Sequence, residues 1–308
     1  MKTLTLAAVA LLAATTAQAQ LSNTPEIAAA LPGLGAEMSR EMVGGTLQMY
    51  GALHALETND GLSVTTDQAY GEHERNRLDV YAPDGAANLP VLLFVHGGGF
   101  VRGDKAGAAN VARWFARHGV IGVPINYRFA PDNQWPSGAQ DIASALAWLR
   151  DNIAALGGDP SRIVLAGNSA GAMHVADYTF HEEQQIENDG VVGSIMVSTP
   201  TANLVGREID PTRDALYYGT DGVRAAQSVI NAVEGREIPV MVGYAQNEPA
   251  VIMDQTWQLI AALTARDGRM PIISGAPGHN HISVVEHIGS ADETMAPDML
   301  EFILSVTQ

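Results

Sequence analysis

Cysteine is absent from this chain of 308 residues, and basic side chains and long apolar runs are scarce. The absence of cysteine excludes disulfides, thiolate nucleophiles and cysteine-ligated metal sites. The 17 basic and 34 acidic residues give a formal net charge of −17, which should repel nucleic acid and anionic membranes. We interpret the acidic surface as a solvated one that keeps the protein in solution. Beyond the N-terminal segment no stretch approaches the roughly 18 apolar residues of a membrane span, so we expect no membrane insertion.

Residues 1–19 have the three parts of a secretory signal peptide. A positively charged start is followed by an apolar run from Leu4 to Ala14 and by the small-x-small cleavage site Ala17-Gln18-Ala19. We expect cleavage and export, either to the periplasm or out of the cell; an uncleaved N-terminal anchor is the alternative. The remaining residues, 20–308, have the length and composition of a single globular domain.

Apolar strands and helical patterns alternate along most of this domain. Val91 to Val95 form a continuous apolar run, as expected of a strand buried on both faces. The alternation predicts an α/β fold with a mostly parallel central sheet and helices on both faces. Residues 20–60 form an N-terminal helical segment, with helical periodicity over residues 24–57, that is expected to pack on the sheet or to cover a pocket. The irregular segment 199–237 is expected to be a cap insertion. Pro124 predicts an irregularity in its strand.

The most informative stretch is Gly167-Asn168-Ser169-Ala170-Gly171, which lies between a predicted buried strand and a predicted helix. A serine at the apex of a sharp strand-to-helix turn, with glycine two residues to either side, is typical of a nucleophile elbow. Glycine is needed where a Cβ would clash, and the turn lifts the hydroxyl to a helix N-terminus, where backbone N–H groups meet developing negative charge. The pattern predicts Ser169 as a nucleophile.

A serine hydroxyl needs a base to take its proton, and a histidine oriented by a carboxylate is expected to do this. His279 and His281 lie in a loop that follows a predicted strand, as the fold requires of the base. We favour His281, at the mouth of a helix, and keep His279 as the alternative. A metal site at this pair would need a third ligand, and none is evident nearby in the sequence. We interpret His96, His118 and His174 as structural.

Glu248 is the first acid after the strand predicted at 238–244, and it precedes a helix. The chain order Ser169, Glu248, His281 is the order expected of a nucleophile, acid and base in such a fold. Asp254 is the second candidate, although it lies inside the predicted helix. The structural alternative for Glu248 is an acid favoured by the helix dipole at a helix start.

A glycine-rich segment, His96-Gly97-Gly98-Gly99-Phe100, follows the apolar strand that ends at Val95. Glycines let the backbone approach a substrate and turn its N–H groups toward it. Gly98 and Gly99, together with the N–H of Ala170, are therefore candidate oxyanion donors. The alternative, a phosphate-binding glycine loop, lacks a G-K-[ST] or G-x-G-x-x-G pattern in the right setting.

Four motifs together resemble the α/β-hydrolase superfamily, in the HGGG branch that groups the hormone-sensitive-lipase-like esterases with the BD-FAE-type carboxylesterases. They are Arg77 to Pro83, His96 to Phe100, Asn126 to Pro131 and Gly167 to Gly171. The resemblance covers roughly residues 60–308, the length expected of one such domain. It also implies a structural role for Asp141.

The resemblance implies a serine hydrolase with a small helical cap that cleaves carboxylic esters, with short-to-medium acyl chains, through an acyl-enzyme intermediate. It implies no cofactor and no metal. The implied roles are Ser169 as nucleophile, His281 as base, Glu248 as orienting acid, and Gly98, Gly99 and Ala170 as oxyanion donors.

Two residues depart from the family pattern, because Asn168 stands where relatives often carry Asp or Glu, and Glu248 where many use Asp. Three other functions stay open at this point. They are amide or formamide hydrolysis by the same residues, binding without turnover on a hydrolase fold, and a scaffold or adhesion role of the acidic surface. The expected partner is a small-molecule ester, and a homodimer is left open.

Overall fold

The computed structural model describes residues 25–219 and 223–308. The predicted signal peptide, residues 1–19, lies outside the described residues. The described strands are β1 Leu62–Ala69, β2 Arg77–Pro83, β3 Leu89–Val95, β4 Ile121–Ile125, β5 Gly158–Asn168, β6 Val191–Val197, β7 Val240–Asn247 and β8 Ile272–Asn280. The described α-helices are α1 Pro25–Leu34, α2 Arg40–His54, α3 Ala109–Arg117, α4 Ser137–Asn152, α5 Ala170–Phe180, α6 Asp214–Tyr218, α7 Arg224–Gln227, α8 Ala250–Asp267, α9 Ser283–Glu286 and α10 Ala296–Val306.

The eight strands form one sheet in the order β1-β2-β4-β3-β5-β6-β7-β8. β1 and β2 pair antiparallel, as do β2 and β4, and all the other neighbours pair parallel. The carboxyl ends of β5, β7 and β8 therefore lie at one edge, which is where ligands bind in open α/β sheets. Ser169, Glu248 and His281 directly follow these three ends.

The central strand β3 shows why the sheet is buried on both faces. Val91, Leu93 and Val95 pack into one apolar cluster, which includes side chains of α4 and α5. Leu92 and Phe94 point to the other face and pack into a second cluster, with side chains of α3 and α10. Since both faces are covered by helices, every residue of such a strand is apolar, which is the pattern that predicted it.

The irregularity expected at Pro124 affects only one side of its strand. β4 lies inside the sheet and pairs with β3 without a break, with Phe94 opposite Pro124. Toward β2 the paired residues are Leu78 with Ile125 and Tyr81 with Gly122, so Pro124 has no paired residue there. Because β2 and β4 are paired at only these positions, Pro124, which has no N–H to donate, interrupts no hydrogen bond between them.

The N-terminal segment and segment 199–237 lie outside the sheet, and each buries some of its side chains. α2 buries Met42, Thr46 and Tyr50. The described part of segment 199–237 contains short helical turns and buries Tyr217 in the apolar cluster that contains Val91, Leu93 and Val95. The ring of Tyr217 stacks on Phe100 with 4.4 Å between ring centroids. Within the described residues, no helix combines the length and apolarity needed to cross a membrane.

Candidate active site

The turn at Ser169 has the strained geometry that its sequence predicts. β5 ends at Asn168 and α5 begins at Ala170, so Ser169 alone makes the turn, with a φ of 54°. A Cβ added at Gly167 would lie 2.5 Å from backbone atoms of Gly171, and one added at Gly171 would lie 2.0 Å from the carbonyl oxygen of Val95. Only glycine fits at both positions, and the serine is held in a conformation that a non-glycine residue rarely adopts.

Three predicted side chains meet above the carboxyl edge of the sheet. The Nε2 atom of His281 lies 2.9 Å from Oγ of Ser169, and its Nδ1 atom lies 2.7 Å from Oε2 of Glu248. Because an ionised carboxylate only accepts hydrogen bonds, Nδ1 carries the proton and Nε2 is left to accept the serine hydroxyl. The side chains of His281 and Glu248 are 2% and 0% exposed, so the contact between these two groups is shielded from water.

Ser198 holds the carboxylate of Glu248 from the opposite side, a role that the sequence analysis missed. It directly follows β6, has a φ of 59°, and donates its hydroxyl hydrogen to Oε1 of Glu248. The N–H of Ala245 donates to the same oxygen at 3.3 Å. With Oε1 fixed in this way, Oε2 is aimed at His281. A small polar residue directly after a neighbouring strand is the signal that could have identified Ser198.

Asn280 fixes the loop that carries His281, and the sequence analysis missed this residue as well. Its Oδ1 accepts the N–H groups of Ile282 and Ser283 at 3.0 and 2.9 Å, which starts helix α9. Its Nδ2 donates to Oγ1 of Thr46 on α2 at 3.0 Å. Through this hydrogen bond, helix α2 stabilises the loop that carries the candidate base His281.

The glycine loop after β3 presents its backbone to Ser169. Gly98 and Gly99 have φ values of 137° and 60°, and a Cβ at Gly98 would lie 1.9 Å from the carbonyl oxygen of Arg102. Within the described part of the chain, no acceptor is paired with the N–H groups of Gly98, Gly99 or Ala170. These N–H groups are therefore available to an oxyanion.

Asn168 connects the glycine loop to the serine turn. Its Oδ1 accepts the N–H of Gly97 at 2.9 Å. The family's usual acid at this position would add a negative charge beside the site, whereas the amide accepts the same hydrogen bond without charge.

A cavity of about 270 Å³ opens onto Ser169 and His281. The N-terminal segment, which was expected to pack on the sheet or to cover a pocket, contributes Met38, Val43 and Leu47 to its wall. The segment 199–237 contributes Arg213. Most of the large apolar side chains described in this segment pack into the apolar cluster that contains Val91, Leu93 and Val95, whereas Val205 and Val223 are exposed. The assignment of the segment as a cap insertion stays a prediction.

The second candidates for base and acid are engaged in hydrogen bonds with residues other than Ser169. Asp254 lies on α8, where Oδ2 accepts a hydrogen bond from Nε2 of Gln258 at 2.7 Å. His279 hydrogen bonds to Ser283 and Asp292.

The histidines interpreted as structural are buried or bonded to the backbone. Burial lowers the pKa of His96 to about 4 and that of His174 to about 3, the latter with a smaller repulsion from His96, so both rings are neutral. His118 lies with Nδ1 2.7 Å from the carbonyl oxygen of Trp114. Asp141 is also structural in its contacts, since it accepts the backbone N–H and the Nε–H of Arg128, both at 2.7 Å.

Comparisons with known protein sequences agree with the motifs. The BD-FAE family model matches residues 78–205. Over 128 residues the chain is 38% identical to a probable isoprenylcysteine alpha-carbonyl methylesterase of Oryza sativa, a match that covers 41% of this chain and 30% of that protein. Over 133 residues it is 38% identical to a probable carboxylic ester hydrolase of Mycobacterium tuberculosis, covering 42% of this chain and 31% of that protein. The chain thus spans about a third of the length of the curated relatives it matches.

Solved structures are similar over most of the chain. Esterase B of Lactobacillus rhamnosis superposes with a TM-score of 0.71 and 21% identity, covering 86% of this chain and 92% of that one. A hyperthermophilic esterase from Pyrobaculum calidifontis superposes with a TM-score of 0.67 and 22% identity, covering 92% of this chain and 97% of that one. At these identities the similarity establishes the architecture of the chain and leaves its chemistry to the residues themselves.

Proposed function

We propose that this chain, an α/β hydrolase with an HGGG-type glycine loop, is a serine carboxylesterase. The fold expected from the sequence is confirmed by the solved structures, and the resemblance to BD-FAE-type carboxylesterases is confirmed over residues 78–205. The observation that carries the proposal is the continuous chain of contacts from Ser169 through His281 to Glu248. A hydroxyl, an imidazole and a buried carboxylate in this order are the parts of an activated nucleophile.

In the proposed acylation step, Nε2 of His281 takes the proton of the Ser169 hydroxyl as Oγ attacks the ester carbonyl carbon. The N–H groups of Gly98, Gly99 and Ala170 stabilise the negative charge that develops on the carbonyl oxygen. His281 then donates its proton to the leaving alcohol, and the acyl group remains on Ser169. Glu248 keeps the proton on Nδ1 and stabilises the imidazolium that forms in between.

Deacylation repeats these proton transfers with water. His281 removes a proton from a water molecule, the hydroxide attacks the acyl carbon, and the proton returns to Oγ of Ser169 as the acid leaves. The reaction consumes only ester and water. In the mechanism as proposed, side chains and backbone N–H groups of this chain carry every step, without a cofactor or a metal.

The proposed substrates are esters with short-to-medium acyl chains. The cavity at Ser169 has a volume of about 270 Å³, below the roughly 300–1,000 Å³ of pockets that enclose drug-sized ligands. Much of its wall is apolar, which suits a hydrocarbon acyl group. The apolar lining residues are Met38, Val43, Leu47, Phe94, Ala108, Val111, Ile282 and Val285.

A panel of p-nitrophenyl esters of graded acyl length tests the proposal on the purified protein. We expect the highest kcat/KM for short-to-medium chains, and we expect Ser169→Ala to abolish turnover while circular dichroism stays unchanged. Turnover that persists in this variant would refute the assignment. Faster cleavage of a matched anilide than of the ester would favour amide hydrolysis, and the absence of turnover of either would favour a binding protein.

A pair of acid variants tests the role of Glu248 against the second candidate. Glu248→Gln should lower kcat by about 10⁴-fold, the effect of removing the orienting carboxylate in other triads. Asp254→Asn removes a carboxylate that bonds to Gln258 and should leave kcat unchanged. A reversal of these two effects would move the acid to α8.

We also propose that residues 1–19 direct export and are removed. The apolar run and the cleavage site in the sequence support this. The intact mass of the protein recovered from the periplasm or medium of its expressing cell should correspond to a chain that begins at Gln20. A mass that retains Met1 would contradict it.

A further inference from the structure

A second cluster of ionisable side chains lies beside the segment that carries His281. His279, His287 and Asp292 each present one potential ligand atom, and these atoms all lie within 4.8 Å of one another. The rings of His279 and His287 lie 4.3 Å apart between centroids. Both histidines are buried, and the proposed esterase mechanism uses none of the three residues.

His287 has a free lone pair inside this cluster. Its Nδ1 lies 2.8 Å from the backbone carbonyl oxygen of Ser283, and a carbonyl only accepts, so Nδ1 carries the proton. Nε2 is therefore an unprotonated nitrogen; it is buried, and it has no hydrogen-bond partner among the described residues. An N–H to a backbone carbonyl with the other nitrogen left free is how metal-binding histidines are held.

Asp292 is held in a similar way. Oδ1 accepts the backbone N–H of Thr294 at 3.1 Å and also its hydroxyl, which leaves Oδ2 directed at Nε2 of His279, 3.1 Å away. Two ligands of a tetrahedral zinc ion, each about 2.0–2.1 Å from the metal, lie about 3.3 Å apart. The spacing of these two atoms is therefore close to the one that the ion requires.

His279 can adopt the tautomer that binding needs. Its Nδ1 lies 3.1 Å from Oγ of Ser283, an atom that can accept a hydrogen bond. With the proton on Nδ1, Nε2 is free to act as a ligand, and all three side chains have a partner on their far side that orients them.

A cavity leads to the cluster from the direction of the N-terminal helices. Its volume is about 90 Å³, and its wall includes Leu31, Tyr50, His279 and Asp292. This volume admits a water molecule as a fourth ligand and provides an entry path for an ion.

We propose that His279, His287 and Asp292 bind a divalent transition-metal cation, preferably Zn²⁺, with water as the fourth ligand. Imidazole nitrogens and a carboxylate oxygen are a ligand set that zinc accepts. The ion joins the two ends of segment 279–292, which contains His281, and so stiffens the loop of the candidate base. This proposal does not depend on the esterase activity.

The experiment begins with the full chain after removal of metals by a chelator. Titration with Zn²⁺ against a chromophoric competitor should show one saturable site per chain, and saturation should raise the thermal midpoint. Co²⁺ in place of Zn²⁺ should give the intense visible absorption of a four-coordinate ion. Absence of a saturable site, or the weak spectrum of six-coordinate aqueous Co²⁺, would overturn the proposal.

Variants assign the site. Asp292→Asn and His287→Gln should each weaken Zn²⁺ binding at least about tenfold. His118→Gln is the matched control, because His118 makes the same kind of Nδ1 contact with a backbone carbonyl, that of Trp114, outside the cluster. Equal weakening by the control and by Asp292→Asn would show adventitious surface binding and overturn the assignment. If His287→Gln fails to fold, the Co²⁺ spectra of the unmodified chain and of Asp292→Asn decide.

Discussion

Removal of the Ser198 hydroxyl tests whether the carboxylate of Glu248 must be held in place for catalysis. In Ser198→Ala, Oε1 of Glu248 loses the hydroxyl donor and keeps only the N–H of Ala245, at 3.3 Å. A hydrogen bond to a charged group contributes about 1.5–3 kcal/mol. Because the longer Ala245 contact compensates in part, we take the lower end of this range, about 1.5 kcal/mol, which corresponds to a loss of kcat of roughly 13-fold.

The assay separates kcat from KM on a p-nitrophenyl ester. Ser198 does not line the cavity at Ser169, so KM should stay unchanged while kcat falls. Ser198→Gly should lose as much kcat as Ser198→Ala, because both lack the hydroxyl. Because the φ of 59° at residue 198 suits glycine better than alanine, Ser198→Gly should be more stable than Ser198→Ala by about 1 kcal/mol in urea denaturation.

Thr199→Ala is the matched control for a merely structural effect. Thr199 is the next residue, is equally buried, and bonds to Oγ1 of Thr256 at 3.2 Å instead of to Glu248. Thr199→Ala should lose about 1 kcal/mol of stability, the contribution of a typical hydrogen bond between neutral groups. It should keep kcat within about twofold, because the lost bond joins Thr199 to Thr256 and does not reach Glu248. The reasoning is refuted if Ser198→Ala and Ser198→Gly retain the parental kcat, or if Thr199→Ala loses as much.

Three further changes have defined outcomes. Gly98→Ala places a Cβ 1.9 Å from the carbonyl oxygen of Arg102, so the loop must shift and kcat should fall about 10²–10³-fold; an active variant would show that this N–H is not an oxyanion donor. His174, whose burial lowers its pKa to about 3, takes up a proton below pH 6.5 only when unfolded, so the free energy of unfolding should fall by about 2 kcal/mol between pH 7 and 5 on its account. In His174→Gln, urea denaturation at pH 7 and at pH 5 should show a decrease in the free energy of unfolding that is smaller by this amount. A decrease as large as in the parental protein would contradict the burial of His174 as a neutral ring. Leu47 lines the cavity at Ser169, so Leu47→Ala should enlarge the cavity and shift the preference in the ester panel toward longer acyl chains. Equal losses of kcat/KM at every acyl length would show that Leu47 does not contact the acyl group.

The central sheet and the serine turn could be predicted because each leaves a recognisable pattern within a short stretch of sequence. The run Val91 to Val95 is apolar at every position since helices cover both faces of β3, and the glycines around Ser169 are required by atoms only a few ångströms away. The order of strands in such a fold then limits where the acid and the base lie, which led to Glu248 and His281.

The supporting residues could not be predicted because they depend on contacts between distant parts of the chain. Ser198 reaches Glu248 and Asn280 reaches Thr46 only after β6 and α2 have taken their places in the fold. The helical periodicity of the N-terminal segment predicts helices but does not indicate which surface they cover. That surface follows from these side-chain contacts.

The cluster around His279 illustrates the same difference. The sequence shows two histidines and no evident third ligand in the same loop. The short helix α9 turns the chain back, so His287 and Asp292 come to lie beside His279 although the acid is 13 residues further along. A ligand set that spans a helical turn and a loop has no fixed spacing in the sequence.

Covalent labelling of the folded protein with a fluorophosphonate, followed by mass spectrometry of its peptides, tests the central claim most directly. We expect one adduct per chain on Ser169, because we propose that His281, 2.9 Å away, activates this hydroxyl and that the N–H groups of Gly98, Gly99 and Ala170 stabilise the oxyanion. Labelling should disappear in Ser169→Ala. A folded protein that forms no adduct, or an adduct on another residue that persists in Ser169→Ala, would contradict the account.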